Sequence, residues 1–163
     1  MKTKLSIAIL SLVVAGASAG AGEPATQGAQ DAKAEMRRMF GRVPGFVEAF
    51  PDAGIAGAWD EFKAVQLSGD SALSPKVKEL IGLAVAAQIP CQYCVYFHAK
   101  SAKADGASDE EIKEAVAMAA VTRHWSTVIN GAQVDFATFR DEVDAMMRYA
   151  SEHAKQEAKA TGK

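Results

Sequence analysis

The sequence predicts an all-α fold, a helical bundle whose centre is an antiparallel pair of helices carrying a Cys-x-x-Cys site. Three observations support this. Apolar residues recur at i, i+3, i+4 and i+7 along most of the chain, and no run shows the period-two alternation of a strand. Helix start and stop signals punctuate those runs in order, from Gly41 through Ser74-Pro75 and Pro90 to Gly106 and Ser108. The composition is 49% apolar and rich in alanine, with sparse proline, which suits a compact helical domain.

The first residues read as a removable segment. Lys2 and Lys4 make a basic start, Leu5 to Val14 an apolar run, and Ala17-Ser18-Ala19 a small-residue cleavage pattern. Residues 1–19 are therefore expected to be a secretory signal peptide, and the protein to be exported, to the periplasm in a two-membrane cell. The run is too short for a bilayer, which needs about 20 residues; a retained N-terminal anchor is the alternative. No cysteine follows the cleavage pattern to carry a lipid. Residues 20–30 read as a flexible lead-in, residues 31–155 as one helical domain, and residues 156–163 as a charged tail that frays.

Within the domain, Asp31 to Phe40 favours helix and Gly41 stops it. Val43-Pro44-Gly45 is a turn, and Phe46 to Phe50 a short apolar turn ending at Pro51. Ile55, Trp59, Phe62 and Val65 space a helix over Ile55 to Leu67. Ser74-Pro75 starts another, with an N-cap hydroxyl and a proline at the first helical position. Val77, Leu80, Ile81, Ala84 and Val85, with Leu83, Ala86 and Ala87, make it apolar on nearly every side, so it is expected to be buried all round. Pro90 ends it. The next helix runs from the cysteines to Asp105 and is closed by Gly106. Ser108 and Glu111 form a capping box for a third, which continues to Asn130-Gly131. A last helix starts near Phe136.

Charge and cysteine usage narrow the function. Without residues 1–19 the chain carries 16 basic and 20 acidic residues, a net charge of −4. No basic stripe suggests a nucleic-acid partner. The 2 cysteines sit three residues apart. An exported protein meets oxidising conditions. A disulfide closing so small a loop contributes only roughly 2 kcal/mol by chain entropy, so the spacing leans toward chemistry.

Cys91, Cys94 and His98 fall on one helical face. Cys91 would sit at the helix N-terminus, where unpaired N–H groups and the dipole favour a thiolate, the reactive form. His98, one turn beyond Cys94, can take its proton. Glu79 lies nine residues before Gln88, and His98 seven after Cys91. At about 1.5 Å per residue those are roughly 13 and 10 Å from the bend. A hairpin at Pro90 would bring the carboxylate to the imidazole, fixing its tautomer and raising its basicity. Two other readings use the same residues: an inert disulfide, and a zinc site of Cys91, Cys94, His98 and Glu79. His124-Trp125 and Trp59 read as core, with a pocket wall or subunit contact as the alternative for the first pair. His153 reads as solvated.

Glu79, eleven intervening residues, then Cys91-Gln92-Tyr93-Cys94-Val95-Tyr96-Phe97-His98 resembles the E-x11-C-x-x-C-x3-H signature of the AhpD-like alkylhydroperoxidases, within the carboxymuconolactone decarboxylase superfamily. The resemblance covers about Ser74 to Gln133, and Phe40 to Phe46 looks like the lead-in of such proteins. It implies an all-α fold that forms trimers or pairs of trimers. It implies Cys94 as the thiol that attacks a hydroperoxide, Cys91 as the resolving thiol, and His98 with Glu79 as the proton relay. The helix dipole favours Cys91 as the thiolate; His98 at i+4 favours Cys94. Tyr93 stands where the best-known peroxidase of the family has a histidine, so a proton route there is lost or replaced by a phenol. Cytosolic members are recharged by lipoamide-type partners, so an exported member needs another dithiol donor. The superfamily's decarboxylases lack this cysteine pair.

The sequence thus points to a thiol peroxidase without cofactor or metal, acting on a hydroperoxide and recharged by a dithiol donor, with a homo-oligomer and no membrane or nucleic acid as partner. A thiol–disulfide oxidoreductase for exported proteins and a non-catalytic helical oligomer are the rivals.

Overall fold

The computed structural model describes residues 22–160, so the expected signal peptide at residues 1–19 lies outside the described residues. Six α-helices and no strand occur among them: α1 Gly22–Phe40, α2 Asp52–Glu61, α3 Pro75–Gln88, α4 Gln92–Ala104, α5 Asp109–Gly131 and α6 Phe136–Ala160. None is long and apolar enough to cross a membrane. One compact unit ends at Ser68 and a second begins at Gly69.

In the first unit α1 starts at Gly22 rather than Asp31, so the expected lead-in is helical from that point. The cause is tertiary. Ala29, Ala32 and Met36, at i, i+3 and i+7, pack into one core with Val47, Ile55 and Trp59. Gly28 sits against α2 so closely that a Cβ there would lie 3.3 Å from Ala56 Cβ. Burial of that small-residue stripe extends the helix beyond what weak local propensity gives. Gly41, at φ +75°, ends α1 in the left-handed conformation that glycine tolerates best. Trp59 is core, as its spacing suggests, and its indole N–H donates to Glu35 Oε2 at 2.8 Å. Lys63 Nζ reaches the same oxygen at 2.7 Å. The Lys63 ammonium, then the Trp59 donor, hold the Glu35 carboxyl below the usual carboxylate range. After Glu61 the helix widens into a π turn over Phe62–Leu67.

In the second unit Ser74 caps α3, its hydroxyl accepting from Val77 N–H. The short connection after Gln88 folds α4 back along α3 as an antiparallel hairpin. α5 lies parallel to α3. Lys76, at the start of α3, pairs with Glu111 at 2.8 Å. At the other end the Gln88 amide donates to the Ala119 carbonyl, and Arg123 Nε donates to Gln88 Oε1 at 2.8 Å. α5 opens with the anticipated capping box: Ser108 Oγ accepts from Glu111 N–H at 3.0 Å, and Glu111 Oε2 accepts from Ser108 N–H at 2.8 Å. Gly106, at φ +83°, closes α4 as expected. Asp135 caps α6, accepting from Thr138 N–H at 2.8 Å. That helix continues to Ala160, into the segment expected to fray.

Two burial expectations are corrected. α3 is not enclosed on all sides; only Glu79, Leu83 and Ala86 are buried, while Ile81 and Val85 are about half exposed. α4 and α5 cover two sides and leave the third open. Trp125 is 57% exposed rather than core, its ring edge-on to the exposed His124. Apolar periodicity marks a stripe to be covered without saying that the same chain covers it.

Candidate functional site

The site is built where α3 hands over to α4. Cys91 N–H donates back to Ala86 O at 3.1 Å, closing the connection. Cys91 itself is the N-cap of α4, extended at φ −91° and ψ 97°. Its sulfur accepts from Cys94 N–H at 3.2 Å, the place an N-cap oxygen would occupy. Sulfur at that position faces the unpaired N–H groups of the first turn, which favour negative charge. The two cysteines are joined as a disulfide with their Cα atoms 5.3 Å apart. Both are half-buried, on the side of α4 that continues through Val95, His98 and Ala99 to the fully buried Ala102.

Glu79 and His98 meet as the helical rise anticipates. His98 Nδ1 lies 2.7 Å from Glu79 Oε2, with the carboxylate side chain 6% exposed and the imidazole 18%. An ionised carboxylate only accepts, so Nδ1–H donates to it and the lone pair of the neutral ring is on Nε2. Nε2 is thus the nitrogen left to exchange a proton. Phe97 stands edge-on to the imidazole at 5.3 Å. Tyr93, between the cysteines, is 79% exposed. An open groove of about 690 Å³ is lined along α4 by Gln92, Val95, Tyr96 and Ala99, and Cys91, Cys94 and His98 are not part of its lining. No three His, Cys, Asp or Glu side chains among the described residues are grouped to hold a metal ion.

One residue of the site carries no signal in the motif. Gly82, one turn after Glu79, presents bare backbone to the imidazole. A Cβ there would fall 2.4 Å from His98 Cε1 and 2.5 Å from its Nδ1. An isolated glycine inside an otherwise strong helix costs about 1 kcal/mol against alanine, which is the hint a sequence offers of a close approach.

The helices and this site define a protein of the AhpD fold. The crystal structure of the alkylhydroperoxidase AhpD core from Rhodospirillum rubrum superposes with a TM-score of 0.59 at 25% identity, over 74% of this chain and 93% of that one. Residues 53–135 match the Carboxymuconolactone decarboxylase family, and the chain belongs to that family. Glu79, Gly82, Cys91, Cys94 and His98 all fall within the matched span. A Paracoccus denitrificans protein described as "Uncharacterized protein 4 in cox locus" is 43% identical over 54 residues, covering 33% of this chain. The chain spans about half the length of that relative, 49%.

Proposed function

We propose that the protein is a thiol-dependent peroxidase that reduces alkyl hydroperoxides with the Cys91–Cys94 pair. The observation that carries this reading is the Glu79–His98 hydrogen bond at 2.7 Å, one helical turn from Cys94. A buried carboxylate that accepts from Nδ1–H holds the ring in one tautomer and leaves the Nε2 lone pair to take a proton. Membership of the family and the likeness to an alkylhydroperoxidase core support the same chemistry.

In the reduced protein, His98 Nε2 takes the Cys94 thiol proton. The Cys94 thiolate attacks the terminal peroxide oxygen, the O–O bond breaks, and the departing alkoxide takes a proton from the imidazolium. Cys94 is then a sulfenic acid. The Cys91 thiol attacks that sulfur; the disulfide forms and water leaves. One dithiol and one hydroperoxide yield one disulfide, one alcohol and one water. A dithiol donor returns the pair to the reduced state. The N-cap position of Cys91 stabilises it as a thiolate when that donor attacks the disulfide and Cys91 leaves.

The reading includes an exported, periplasmic location, with cleavage after Ala19, and a homo-oligomer in which the open apolar sides of α3 and α5 are covered. Mixing reduced protein with an alkyl hydroperoxide and following alcohol and disulfide by mass spectrometry tests the chemistry. Turnover faster than free cysteine, lost in Cys94→Ser, is expected. A rate no greater than that of free cysteine contradicts it.

A further inference from the structure

We infer that Gly82 is the positioning residue of the site: its missing side chain forms the slot through which the His98 imidazole reaches Glu79. The inference rests on the reading of His98 as the base for Cys94.

The geometry is specific. The Cε1 edge of the ring, with a nitrogen on either side, faces the α3 backbone at residue 82. A Cβ placed there would come within 2.4 Å of Cε1, 2.5 Å of Nδ1 and 2.7 Å of Nε2. These distances are well inside contact, and the obstacle is an aromatic ring rather than the mobile end of a long chain. His98 is half-buried and its partner Glu79 is 4% exposed, so the ring has little room to step aside while keeping its 2.7 Å bond. The opposite pattern holds at Gly57 on the exposed side of α2, where a Cβ would meet nothing within 4 Å.

Helix energetics point the same way. Glycine in the interior of a helix destabilises it relative to alanine. Apart from Pro75 at its first position, α3 holds no other residue as poor in helix propensity. The one glycine in it falls one turn from the buried carboxylate and under the imidazole. The helix thus gives up local stability at the point where the ring must lie close. A methyl group at residue 82 would strengthen α3 as a helix and lift His98 away from Glu79, separating local stability from site geometry.

The experiment compares the wild type with Gly82→Ala, with Gly57→Ala as the control substitution. The His98 ring is read by 15N NMR for its tautomer, and the reduced cysteines are read by their rate with a hydroperoxide and with a small aromatic disulfide, from pH 5 to 9. In Gly82→Ala the His98 signal should lose the fixed Nδ1–H tautomer. Both thiol rates near neutral pH should fall at least tenfold, and the pH profile should move toward that of an unassisted thiol. His98→Ala combined with Gly82→Ala should react no more slowly than His98→Ala alone, because the glycine acts only through the ring. An unchanged tautomer with unchanged rates overturns the inference, as does a lost tautomer with wild-type rates. If Gly82→Ala does not fold, the same double variant decides. Its folding, with the ring removed, shows that methyl and imidazole compete for one space; its failure to fold overturns that competition. A wild type inert to hydroperoxide but rapid with the disulfide defeats the peroxidase reading and leaves the role of Gly82 to the tautomer and disulfide results.

Discussion

At the scale of single residues, the site depends on a carboxylate kept where carboxylates are costly. Glu79 is buried, and its hydrogen bond to His98 offsets the loss of water. Replacing it with glutamine preserves the shape but removes the charged acceptor that fixes the imidazole as the Nδ1–H tautomer. Glu79→Gln is therefore expected to slow peroxide oxidation of the reduced protein by roughly 10²-fold, the low end of what a positioned proton carrier contributes. Stopped-flow tryptophan fluorescence or coupled peroxide loss would measure it; a change under threefold would show that the carboxylate is structural. This pair was legible in the sequence because helical rise is constant: counting back from Gln88 and forward from Cys91 brings Glu79 and His98 to similar depth. Gly82 was not legible as part of the site. Its meaning lies in a contact with a side chain sixteen residues further on, and nothing in local spacing reports how closely two helices approach.

At the scale of elements, the helices that local chemistry specifies are the ones the sequence placed well. α3 and α5 begin at side-chain caps, Ser74 and Ser108, and α4 ends at Gly106; each is a short-range interaction written in a few adjacent residues. The extension of α1 before Asp31 follows from the packing of Gly28 and Ala29 on α2, which propensity does not contain. The capping box of α5 gives two expectations. Ser108→Ala should lower stability by about 1 kcal/mol, the usual cost of losing an N-cap oxygen, measured by urea denaturation. Glu111 accepts from Lys76 and from Ser108 N–H, and those partners, the lysine first, hold its carboxyl below the ordinary value of 4.5. The unfolded chain then binds the Glu111 proton at a higher pH than the folded one. Its contribution is complete above pH 4.5 and is lost as pH falls through the lower folded value. Melting temperature should fall less steeply below pH 4.5 in Glu111→Gln than in the wild type; parallel curves would show that this carboxylate is not linked to folding.

At the scale of the molecule, the described chain leaves large apolar side chains in water. On α5, Met118, Val121, Trp125 and Val128 follow one another at helical spacing, each 46% or more exposed. Val85 and Met118 line one groove between α3 and α5. A continuous apolar stripe of this kind marks a surface to be covered, and the proposed homo-oligomer covers it. Sedimentation velocity should find the protein as an oligomer, and Val121→Glu should shift it toward monomer; a monomeric wild type would leave the stripe unexplained. Apolar spacing assigned the faces of α3 and Trp125 to the core, because a sequence records what is apolar and not which chain supplies the cover. The central claim is that His98, set by Glu79, makes Cys94 reactive toward hydroperoxide. Its most direct test is the second-order rate of oxidation of the reduced protein from pH 5 to 9, in wild type and His98→Ala. The account expects the wild type to stay fast below the ordinary thiol pKa of about 8.5, and His98→Ala to fall to the rate and pH profile of free cysteine. Coincident profiles for the two proteins would contradict it.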